Sequence, residues 1–174
     1  MIHEPVRTDP EVAAATFADH LQKFFASGRG AGPGWGRKDL DELTTVVRIP
    51  ARRPDGTEDF YFVELRADYY PTWPPMTSFV TPTEEGWELA RDGSRWWPLQ
   101  SNSPGFPFGL HATYGFSDGR QAPLICFSHT FEFYVSDHNP TDDERWDPTR
   151  HTLSATLNRI AKVLQAPNYL EPSG

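Results

Sequence analysis

The chain is short of several things, and each shortage closes off a class of protein. Among its 174 residues there is one cysteine, Cys126. An internal disulfide framework and an all-cysteine metal site are therefore excluded. Lysine is scarce, occurring only as Lys23, Lys38 and Lys162, and the net charge is −8 with a pI of about 5.2. Nucleic acid is not an expected partner, because phosphate binding needs a basic face. No apolar run approaches the ~20 residues of a membrane span, so no membrane partner is expected. The segment Met1-Ile2-His3-Glu4-Pro5 has neither the basic nor the apolar region of a signal peptide. The expected location is cytoplasmic. The excess of arginine over lysine suggests GC-rich coding and says nothing about mechanism. What survives these exclusions is the chemistry of one thiol.

The remaining composition is that of a globular protein. Hydrophobic residues make up 37%, charged residues 23% and aromatic residues 14%, with 17 prolines. A single domain over residues 1–174 is long enough to bury a core. The aromatic and proline content predicts many turns around a sheet-rich interior.

Asp9-Pro10-Glu11 reads as an N-cap, a proline at the first helical position and an acid in the first turn. Ala14, Phe17, Leu21 and Phe24 then fall on one helical face, and Ser27-Gly28 ends the helix. Residues 28–36 form a glycine-rich linker. Its G-x-G fragments follow a helix, not a strand, so a dinucleotide site is not indicated. Leu43–Ile49 reads as a strand ending at Pro50, and Arg53-Pro54-Asp55-Gly56 as a turn. Phe60–Leu65 alternates and reads as the returning strand. Met76–Thr81 is a third strand. Residues 83–119 are expected to be loops with one short strand. Leu124–Val135 gives a strong strand signal. A final helix is expected to be capped by Asp147, opened by Pro148 and ended by Pro167, with Leu153, Leu157, Ile160 and Leu164 on one face. Strands bracketed by terminal helices argue for an α+β fold rather than a parallel α/β sheet.

Cys126 is the main candidate for chemistry. A lone cysteine is most often a small buried hydrophobe. If the strand runs unbroken, Cys126 shares its face with Ser128, Thr130, Glu132 and Tyr134, the more polar side, and the thiol is expected in the open. A metal reading uses Cys126, His129 and His138: the C-x-x-H spacing of the first two is acceptable for zinc, and Asp137 could add an oxygen. The opposite strand parity of Cys126 and His129 argues against that set, and His129 between Phe127 and Phe131 reads as a packed histidine. A hydrolase with His111 or His129 as base to Cys126 is a further option, supported by no local motif. Asp142-Asp143-Glu144 reads as a solvated acidic loop.

The order of motifs resembles the ubiquitin-conjugating enzymes. Tyr70-Pro71-Thr72-Trp73-Pro74-Pro75 followed by a strand is similar to that family's hallmark stretch. His111 then precedes Leu124-Ile125-Cys126-Phe127-Ser128. Trp146-Asp147-Pro148 opens the last helix, and Pro167-Asn168 follows it. The resemblance covers roughly residues 8 to 172. It implies a UBC-like domain, an antiparallel β-meander flanked by an N-terminal and a C-terminal helix, with the family's last helices absent. The long acidic stretch between Cys126 and Trp146 is similar to members with an acidic insertion beside the active site.

The resemblance also implies a function. Cys126 would carry a ubiquitin-like protein as a thioester, received from a ThiF-like activating enzyme, and pass it to an acceptor nucleophile. No cofactor is expected. His111 would lead the active-site loop. Glu171, by its position after Pro167-Asn168, would be the acidic residue beside the site; otherwise it is an ordinary exposed terminal glutamate. Tyr70, Pro71, Pro74 and Pro75 would form a rigid turn, and Trp146 a packing anchor. The chain departs from the family where His-Pro-Asn is replaced by His111-Ala112-Thr113. Asn102 or Asn139 is the available substitute. That departure favours an alternative, a catalytically inactive UBC-like module that binds a ubiquitin-like protein or another partner. The motif order is similar to divergent bacterial domains that accompany ubiquitin-like conjugation systems.

Overall fold

A computed structural model describes residues 5–101, 109–136 and 138–174. The fold is α+β, with an N-terminal helix, a mostly antiparallel set of strands and a C-terminal helix. Helix α1 spans Pro10–Ala26. The Asp9 side chain accepts from the amides of Glu11 and Val12, as the cap signature predicts. Its inward face is Ala13, Phe17, Leu21 and Phe24, with Ala13 in place of the expected Ala14.

Five strands follow as an antiparallel meander in chain order: β1 (Gly36–Asp39), β2 (Thr44–Arg52), β3 (Glu58–Arg66), β4 (Met76–Pro82) and β5 (Trp87–Leu89). The turn between β2 and β3 has Gly56 at φ +89°, with its amide on the carbonyl of Arg53. Strand β2 does not stop at Pro50. Its partner β1 reaches only Arg48, so the missing N–H of Pro50 costs no ladder bond on that side. Alternate residues of β2 and β3 bury Val47, Ile49, Ala51, Tyr61, Val63 and Leu65 in a core shared with the N-terminal and C-terminal helices.

Residues 83–119 hold more structure than expected: β5, then β6 (Pro98–Gln100) and β7 (Gly109–Gly115). Strand β6 pairs with the C-terminal β9 (Tyr169–Pro172), and β7 with β8 (Gln121–Cys126). These pairings are non-local or bulged, which hides them from local periodicity.

The expected strand over 124–135 is corrected. Strand β8 ends at Cys126, and Phe131–Val135 forms the short helix α2. Thr130 makes the break. Its Oγ1 donates to the carbonyls of Ile125 and Phe127, both at 2.9 Å, replacing ladder bonds with a turn. The start of the last helix is also corrected. Helix α3 spans Leu153–Val163, with Thr152 as its cap. Asp147 caps a separate turn, its Oδ1 accepting from the amide of Thr149 and its carbonyl from Arg150 and His151. Leu153, Leu157 and Ile160 of α3 complete the core.

The proline-rich stretch is structural, as expected. Tyr70 is buried, and its hydroxyl accepts from the amide of Leu153 at 2.9 Å and contacts His20 Nδ1. Trp146 is buried as well, with Nε1 donating to the Pro71 carbonyl at 2.9 Å. One turn therefore ties α1, α3 and the approach to α3 together.

Candidate functional site

Cys126 closes β8 opposite Gly109, the first residue of β7. The register also places His111 opposite Leu124. The missing side chain at Gly109 matters: a Cβ there would lie 2.7 Å from His111 Nε2 and 3.5 Å from Cys126 Cβ. The imidazole of His111 thus folds back over Gly109, beside the cysteine. The structure brings together these two residues that the resemblance singled out.

After Cys126 the chain turns, runs through α2 and returns. Phe131 donates its amide to the Pro75 carbonyl, and Tyr134 its hydroxyl to the Ser128 carbonyl at 2.8 Å. That return places Ser136 and His138 against the thiol. Cys126 Sγ lies 3.7 Å from both His138 Nδ1 and Nε2, and 4.0 Å from Ser136 Oγ. His138 Nδ1 is 2.8 Å from the Ser136 carbonyl oxygen and 3.0 Å from Ser136 Oγ. Tyr114 donates its hydroxyl to the same carbonyl at 2.6 Å.

The expectation that Cys126 faces the open is corrected: it is 5% exposed. Parity holds only along a continuous strand, and this strand ends at the cysteine itself. Burial pushes the thiol above its ordinary value, aided by the nearby Glu132 carboxylate and opposed by the Ser136 hydroxyl. Glu132, on α2, accepts from the Thr77 amide at 2.9 Å and from Thr77 Oγ1 at 3.2 Å. Burial of its carboxyl pushes it up to about 7. Burial lowers His111 from its ordinary value, and His138 adds to that effect. The imidazoles beside this protonated thiol are groups that can accept a proton from it.

Other sequence candidates lie elsewhere. Glu171 is exposed on β9, paired with Leu99 of β6, in a different sheet from Cys126. The acidic loop is a solvated turn in which Asp142 pairs with Arg145 at 3.8 Å. His129 turns away from the cysteine and packs among Phe127, Trp146 and His151. Its Nδ1 is buried without a hydrogen-bond partner, and burial drives it down to about 4. Among the described residues, no group of three or more His, Cys, Asp or Glu side chains is arranged to hold a metal ion. Asp137 and Asn102 lie outside the described residues, and Asn139 is exposed. No helix among the described residues is long and apolar enough to cross a membrane.

His138 is the neighbour of the thiol that sequence reasoning did not pair with it as a base. It lies 12 residues on from Cys126, beyond a helix that periodicity did not indicate, and no spacing motif links the two. Comparison with known protein families, with curated proteins and with solved structures finds no match to this chain.

Proposed function

We propose that this chain is a UBC-like acyl carrier in which Cys126 takes the C-terminal carbonyl of a ubiquitin-like protein as a thioester and passes it to an acceptor nucleophile. The observation that carries the reading is the thiol at the end of β8, with His138 at 3.7 Å and His111 folded over Gly109 beside it. The α1–meander–α3 order and the buried Tyr70 at the head of the proline-rich turn support the same reading. The partners are a ubiquitin-like protein and a ThiF-like activating enzyme, and the setting is the cytoplasm. Glu171 has no described contact with Cys126 to support the place beside the site that the resemblance gives it.

Mixing the protein with ATP, a ThiF-like activating enzyme and a ubiquitin-like protein tests the proposal. The expected product is an adduct that thiol reductant cleaves. Cys126→Ala should abolish it, and Cys126→Ser should trap a more stable oxyester, since an alkoxide leaves more poorly than a thiolate. An inactive binding module is the second reading, favoured by the 5% exposure of Cys126 and by the burial that pushes its thiol pKa up and so suppresses the thiolate. Stable association without any adduct is the result that selects it.

A further inference from the structure

We propose that His138 is the general base that activates Cys126, held in one tautomer by the carbonyl of Ser136. The inference rests on the carrier reading above and adds to it the group that moves the proton.

The Ser136 carbonyl oxygen can only accept. His138 Nδ1 lies 2.8 Å from it, so Nδ1 carries the ring proton. Ser136 Oγ accepts from the same N–H at 3.0 Å while donating to the Phe133 carbonyl at 3.3 Å. A neutral imidazole has one N–H, so the Nε2 lone pair is free. Nε2 is 3.7 Å from Cys126 Sγ, within reach of a thiol donor. Sγ is equally far from Nδ1, so it lies beside the Cε1 edge and off the Nε2 lone-pair axis, and the ring must turn for Nε2 to receive the proton. The Tyr114 hydroxyl holds the other side of the Ser136 carbonyl at 2.6 Å. The series Tyr114, Ser136, His138, Cys126 has the form of orienter, base and nucleophile. The long S···N separation fits an unliganded site, where catalytic contacts tighten only when substrate is bound.

In loading, Nε2 takes the Sγ proton as sulfur bonds to the carbonyl carbon of an incoming thioester. The tetrahedral intermediate collapses, the C–S bond to the donor breaks, and the departing thiolate takes the proton back from His138. In discharge, an acceptor amine attacks the Cys126 thioester and gives its proton to Nε2, and the released Sγ thiolate is reprotonated from the imidazolium. Atoms, electrons and protons balance in both steps without an oxidant or metal. The titratable groups facing the pair are His111 and Tyr114 from β7 and Glu132 from α2. Glu132 opposes thiolate formation, and His138 disfavours a proton on His111.

Alkylation of the full chain by iodoacetamide tests this without any partner, because Cys126 is the only cysteine. Rates would be followed by intact mass from about pH 5 to about pH 10. The expected wild-type profile has two steps, a lower one in the imidazole range and an upper one from the thiol itself. His138→Gln should lose the lower step and react on the order of 10²-fold more slowly near neutral pH. In His138→Ala, added imidazole should restore much of the rate. A single wild-type step above the ordinary thiol range overturns the assignment, as does a His138→Gln profile that superimposes on the wild type. A single wild-type step overturns the assignment even if a variant fails to fold, and the imidazole rescue of His138→Ala ties a lower step to this ring. Two steps without any thioester adduct would remove the carrier reading and leave the base standing. An adduct with a single-step profile would do the reverse.

Discussion

Glu132 on α2 accepts from the backbone amide of Thr77 on β4 at 2.9 Å, and this bond fastens the short helix after the cysteine to the central sheet. Its carboxyl is enclosed and half-protonated only at about pH 7, against an ordinary value of 4.5. The folded state therefore binds its proton more tightly than the unfolded chain does. The stabilisation is complete below about 4.5 and is lost as pH rises through about 7. Glu132→Gln keeps an acceptor for the Thr77 amide and has no charge to bury. Thermal melts should show the wild type losing stability relative to Glu132→Gln between about pH 5 and pH 8, by about 1–3 kcal/mol. Parallel curves would mean that the carboxyl ionises freely.

His129 should give the opposite slope. Its folded value is about 4 against 6.5, so the unfolded chain binds the proton more readily. Stability from this residue is present above about 6.5 and is lost as pH falls toward about 4. Replacing it with phenylalanine fills the same space beside Trp146 and His151 and removes the orphaned Nδ1. His129→Phe should melt higher than the wild type at about pH 5 and show a flatter acid limb. An unchanged limb places the acid sensitivity elsewhere.

Gly109→Ala should act on His111 rather than on the fold. The new Cβ meets the imidazole at 2.7 Å, and the ring, being the end of a side chain, can swing away. Freed from burial, His111 should titrate closer to 6.5 than in the wild type, where burial lowers it. Histidine resonances followed by NMR through a pH titration would detect the change. A His111 titration unmoved by the methyl group would contradict the close approach.

Tyr169 links β9 to the sheet. Its hydroxyl donates to Asp59 Oδ2 at 2.7 Å and lies 2.8 Å from the Tyr61 hydroxyl. Tyr169→Phe leaves Asp59 its 2.6 Å bond from Arg53 Nε but strips the buried Tyr61 hydroxyl of this neighbour. A loss of about 1–3 kcal/mol in denaturant unfolding is expected, since an unsatisfied buried hydroxyl carries its desolvation cost. A loss well under that range would mean water replaces the bond.

Much of the architecture is legible in short stretches of sequence. The Asp9-Pro10 cap, the Gly56 turn and the alternating Tyr61, Val63 and Leu65 are local signals, written in a few adjacent residues, and each reappears in place. Where the signal is non-local, legibility fails. Strands β6 and β9 meet only because the fold carries residues 169–172 back to residue 98, and no periodicity at Pro98–Gln100 announces a partner at Tyr169–Pro172.

The site divides along the same line. Sequence alone determined that any thiol chemistry must fall on Cys126, because it is the only cysteine, and that the chain around it is rich in histidine and aromatic residues. The burial of that thiol and its neighbours were tertiary decisions. A single hydroxyl, Thr130 Oγ1, bonds back to Ile125 and ends the strand, and the helix after it carries Ser136 and His138 to the sulfur. Alternation along a strand predicts facing only while the strand lasts. A side-chain bond that breaks it changes every contact downstream, and only the folded chain shows which bond wins.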